Sequence, residues 1–172
     1  GHSQDGINHL DKIAEDIFKI CWDEGKYYME HIFDYANSEE KELESNDKAE
    51  LKFYGNIIVE ITKIIIYLLQ TSTVNLAKNI SVVDLLKAQA VIFDHLPQEA
   101  KSMMIGLVGI RCHPKNQITM EENAMVADFL NELLLHNNDL MILGEALNAL
   151  FDVYSEETYD QIFINKGFMN TL

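Results

Sequence analysis

The stretch "VADFLNELLLHNNDLMILGEALNALFDVYSEETYDQIFINKGFMNTL", Val126–Leu172, decides the fold class. Its apolar residues recur three and four apart on both sides of the polar break "HNND", as in two amphipathic helices. From about Asp139 to Tyr154, Leu140, Leu143, Leu147, Leu150 and Tyr154 make one stripe, with Ala146 and Ala149 beside it. That stripe is the expected core. Met141, Glu145, Asn148, Asp152 and Glu156 make a second stripe on another face. A break as short as "HNND" folds the two helices antiparallel. A short helix is predicted at Tyr159 to Lys166, and Gly167 reads as its left-handed stop. Phe168, Met169 and Leu172 then read as the start of a further helix, so the chain is expected to be a cut piece of a longer array.

The same pattern continues upstream. Thr119 and Glu122 have capping-box spacing and start a helix predicted to reach His136, with Met125, Val126, Phe129, Leu130, Leu133 and Leu134 inside. A helix from about Pro97 to Arg111 carries Gly106 and Gly109, three apart. Each costs about 1 kcal/mol against alanine in a helix interior, which points to close helix approach. Ser81 caps a helix predicted over Val82 to Leu96. Ile57, Ile58, Ile61, Ile64, Ile65, Leu68 and Leu69 cover more than one face of a long helix from about Ala49 to Thr71, as for a helix between two layers.

At the N-terminus, Gly1, His2 and Ser3 read as a tag remnant. Ile7, Leu10, Ile13, Ile17 and Ile20 form an apolar stripe on a helix from Gly6 to Trp22, with Asp5 as its N-cap. Gly25 is expected to break that helix from a second one carrying Tyr28, Met29, Ile32, Phe33 and Tyr35. Trp22 and the aromatics of "KYYMEHIFDY" are read as core or helix–helix contact. The expected organisation is an N-terminal helix pair (residues 4–36), an acidic linker "NSEEKELESNDKAE" (residues 37–50), and helical repeats over 51–172 with the last repeat incomplete. Two all-α architectures fit: an α-solenoid of armadillo/HEAT type, which is favoured, or a closed helical bundle.

Composition narrows the function. The chain has 172 residues, 28 acids against 13 Lys and Arg, and a formal net charge of −15. Nucleic acid and anionic membranes are repelled by such a surface, and a basic protein or peptide complements it. The longest apolar run, "IIIYLL" (Ile64 to Leu69), is too short to span a bilayer, and Lys63 and Gln70 bracket it. Cys21 and Cys112 stand far apart and form no metal-ligand spacing. Cys112, His113 and Pro114 read as a helix end. "GLVG" lies in a predicted helix and lacks the Lys-Ser/Thr of a phosphate loop. No GxSxG or HExxH occurs. Glu30, His31 and Asp34 lack the second carboxylate set of a di-metal bundle and read as a solvated face. No enzyme activity, metal or cofactor is expected.

Within Val126–Leu172, "FLNELL", "GEALNALFDV" and "YDQIFINKGFMNTL" resemble an armadillo repeat: the second helix of one repeat, its third helix, and the start of the next. "GEALNALFDVYSEETYD" is similar to a narrower family, the symportin-type armadillo/HEAT proteins. That resemblance implies a non-catalytic chaperone that carries the large-subunit ribosomal proteins that bind 5S RNA from cytoplasm to nucleus. It also implies that third helices line the ligand groove, so that Glu145, Asn148, Asp152 and Glu156 bind the partner. Nuclear-import adaptors of similar pattern have a groove Trp and Asn four apart, and here those positions are Asn148 and Asp152. An aromatic slot for a lysine stem is therefore missing, while Asp152 keeps an acceptor and adds charge. The alternative is a generic armadillo/HEAT interaction scaffold or cochaperone.

Overall fold

The structure is a computed structural model that describes residues 2–36, 45–93 and 96–153. Among the described residues it has six α-helices: α1 (His2–Ala36), α2 (Ser45–Thr71), α3 (Val82–Ile92), α4 (Gln98–Arg111), α5 (Met120–His136) and α6 (Leu140–Val153). Short 3-10 turns cover Leu76–Asn79 and Pro114–Asn116. The described residues contain no strand. The chain divides into two compact units, Gly1–Ile80 with Val91–Ala100, and Ser81–Ala90 with Lys101–Leu172.

In the first unit α1 and α2 pack as an antiparallel hairpin. The pairing is read from four contacts along its length. Thr73 Oγ1 donates to Asp11 Oδ1 at 2.6 Å, and Tyr35 Oη donates to Glu50 Oε2 at 2.6 Å. A Cβ on Gly25 would sit 3.6 Å from Ile61 Cγ2, and the His31 and Tyr54 rings stack at 5.4 Å. The expected helix pair in residues 4–36 is thus one helix of 35 residues that starts at His2, with Asp5 inside it. Gly25 does not break it, because the buried glycine gives α2 room to approach and that contact offsets its poor propensity. The acidic linker also ends earlier than expected. Residues 37–44 lie outside the described residues, and Ser45 onward is helical.

The core of this unit holds Phe18, Trp22, Met29 and Ile32 from α1, with Leu51, Ile58, Val59 and Ile65 from α2. The expected α1 stripe is on the outside: Leu10, Ile13, Ile17 and Ile20 are all exposed, Ile20 to 64%. α1 has two apolar arcs, and the one with the bulkier aromatics is the one that α2 and its neighbours cover. Gly55 had no predicted role. A Cβ there would meet Pro97 Cδ at 2.8 Å, so glycine is what lets the segment before α4 cross α2. By length and composition α2 could cross a bilayer, although its longest apolar run is short. It carries Lys52, Glu60 and Lys63, and Lys63 pairs with Glu60 (3.2 Å) and with Glu99 (3.3 Å).

In the second unit the local signals work as the sequence suggests. Asp84 N–H donates to the Ser81 hydroxyl at 3.2 Å. Thr119 Oγ1 accepts from Glu122 N–H, and Glu122 Oε1 accepts from Thr119 N–H, completing the capping box. Asp139 Oδ1 accepts from the N–H groups of Met141 and Ile142 and so caps α6. Cys112 and His113 end α4 as predicted, and His113 Nδ1 accepts from Lys115 N–H. Asn116 Nδ2 donates to Ile110 O at 2.8 Å, satisfying one of the carbonyls the helix end leaves open. Leu85, Leu86, Ile105, Val108, Val126, Leu130 and Ile142 form the core of this unit. Buried Gln89 donates from Nε2 to Met104 O at 3.0 Å, tying α3 to α4.

Candidate functional site

The candidate binding helix is α6, and its orientation follows from its contacts with α4 and α5. It packs along α5. It also meets α4 closely at one point. A Cβ added to Gly109 would lie 3.2 Å from Ala149 Cα and 2.9 Å from Asp152 Oδ2. The glycine spacing therefore marks close helix approach at Gly109. At Gly106, where a Cβ would meet nothing within 4 Å, it does not.

This approach turns α6 away from the expected orientation. The residues it buries are Ile142, Ala146, Ala149, Leu150 and Val153, and the small Ala149 is what Gly109 can reach. Leu150 and the two alanines lie inward, but Leu140 is 85% exposed and Leu147 is also exposed. Tyr154 lies outside the described residues. The leucine stripe is the more apolar arc, yet the alanine arc packs, because backbone proximity at Gly109 needs small side chains.

The predicted binding residues fall on the flank of the buried arc. At about 100° per residue, Glu145, Asn148 and Asp152 lie within one narrow arc of α6, together with Met141. Asn148 and Asp152 are exposed, and Glu145 is half-buried. Glu156 lies outside the described residues. Sequence reasoning missed the nearness of the Asp152 carboxylate to α4 at Gly109. Glu132 on α5 pairs with His136 at 3.5 Å. The arc offers one exposed carboxylate beside Gly109 of α4, one half-buried carboxylate and an amide. That donor and acceptor set suits guanidinium and ammonium groups of a protein ligand.

The other groups singled out in the sequence have structural roles. Trp22 is buried in the α1–α2 core. His31 lies between Tyr27 (4.5 Å, edge-on) and Tyr54, and Tyr28 packs on Tyr54 at 5.5 Å, so the aromatics form a helix–helix contact. Glu50 closes this contact, accepting from Tyr35 and from Tyr54, each at 2.6 Å. Those two hydrogen bonds hold the Glu50 carboxyl below its ordinary range, and the same carboxylate pushes the Tyr54 phenol up to about 12. Glu30 and Asp34 are exposed. No group of three or more His, Cys, Asp or Glu among the described residues is placed to hold a metal. Burial raises both thiols, Cys112 to about 12.

No curated protein and no solved structure gives a significant match to the chain. A family model described as "SYO1-like, TPR repeats" matches residues 3–172. The symportin-type resemblance in "GEALNALFDVYSEETYD" is borne out, and the family match extends from that short stretch to residues 3–172. The fold class is an all-α solenoid of helical repeats, in place of the closed bundle. The family is named for TPR repeats where the sequence pattern suggested armadillo/HEAT, and both are built of stacked helices that bury their apolar faces on neighbours. Stacked helical repeats of this type form a scaffold, and this chain belongs to the SYO1-like TPR-repeat family.

Proposed function

We propose that this scaffold chaperones basic ribosomal proteins, the large-subunit proteins that bind 5S RNA, and accompanies them from cytoplasm to nucleus. The observation that carries the reading is the SYO1-like match over residues 3–172. The net charge of −15 supports it, because a ribosomal protein awaiting RNA exposes a strongly basic surface. The mechanism is non-covalent. Glu145, Asn148, Asp152 and Glu156 receive Lys and Arg side chains, shielding them from RNA and from aggregation. Exposed ion pairs contribute about 0.2–1 kcal/mol each. Affinity therefore accumulates over many contacts and weakens as salt shortens the Debye length from about 10 Å at 0.1 M to about 3 Å at 1 M.

The test is titration of the purified 5S-RNA-binding ribosomal proteins against the parent and an Asp152→Lys/Glu156→Lys variant. The expected result is salt-sensitive binding that the double reversal weakens by about tenfold, equivalent to about 1.4 kcal/mol. Unchanged affinity in the variant removes the α6 arc from the site. Absence of binding by the parent removes the ribosomal-protein reading and leaves the scaffold.

A further inference from the structure

We draw no further inference here: the strongest candidate, the exposed apolar patch of the α1–α2 hairpin at Leu10, Ile13, Ile17 and Ile20, carries nothing because nothing in the structure shows what covers it.

Discussion

α5 and α1 are both amphipathic helices with a clear apolar period, and they use it in opposite ways. On α5 the predicted stripe packs: Val126, Leu130 and Leu133 are buried, and Met125, Phe129 and Leu134 are half-buried beside them. On α1 the predicted stripe of Leu10, Ile13, Ile17 and Ile20 faces outward, and Phe18, Trp22, Met29 and Ile32 make the core. α6 lies between the two: Leu140 and Leu147 of its predicted stripe are exposed, Leu143 is half-buried, and Leu150 packs with Ile142, Ala146 and Ala149. A periodic stripe shows that a helix has an apolar face. When a helix has two such faces, as in stacked repeats, the period does not say which one its own chain covers.

The largest expected effects break this comparison outright. Leu130→Ala should cost about 2–5 kcal/mol, the range for emptying a fully buried leucine. Leu140→Ala, a change of the same chemistry on an exposed site, should stay within about 0.5 kcal/mol in urea unfolding. Equal costs would mean that α6 buries its leucine arc after all.

The glycines of α4 sharpen it at closer range. Gly109→Ala forces a Cβ against Ala149 Cα and the Asp152 carboxylate and should cost about 1–3 kcal/mol. Gly106→Ala meets nothing and should stabilise by up to about 1 kcal/mol through helix propensity. Opposite signs in paired thermal melts confirm that α4 and α6 touch at one glycine and not the other. If the signs agree, the α4–α6 contact is misplaced.

A smaller effect tests the aromatic end of the α1–α2 hairpin. The folded Glu50 carboxyl titrates below its unfolded value, so its contribution is fully present above the ordinary carboxylate range and fades as pH falls through the folded value. Tyr54 is raised to about 12, so the same contact is kept up to about pH 10 and lost between there and about 12. Tyr54→Phe should lower the melting temperature near neutral pH and reduce the acid-side loss. An unchanged melting profile at acid pH would remove Glu50 from the hairpin's stability. The smallest effect is chemical. Buried Cys112, with its thiol pushed up to about 12, should react with a disulfide reagent at pH 8 only on unfolding, and later than half-buried Cys21.

Much of the fold was legible because local signals are strong where they carry hydrogen bonds. Ser81 and Thr119 with Glu122 start helices as the sequence suggests, and Asp139 caps the helix expected to begin there. Breaks were less legible, because a glycine has two uses. Gly25 and Gly55 give room to Ile61 and Pro97, and neither ends a helix. Of the candidate site, Glu145, Asn148 and Asp152 share an arc as their spacing predicts, since that follows from helical period alone. The placing of Asp152 over Gly109 depends on which face of α6 meets α4, a long-range choice that the period leaves open.

The most direct test of this account compares two nearly adjacent residues of α1, Phe18 at 2% exposure and Ile20 at 64%. In urea unfolding, Ile20→Asp should remain within about 1 kcal/mol of the parent. Phe18→Asp buries an unpaired carboxylate and should cost more than about 4 kcal/mol, enough to abolish a cooperative transition in a marginally stable unit. A loss at Ile20→Asp equal to that at Phe18→Asp would contradict the account, because it would place the isoleucine stripe in the core and leave no open face on the hairpin.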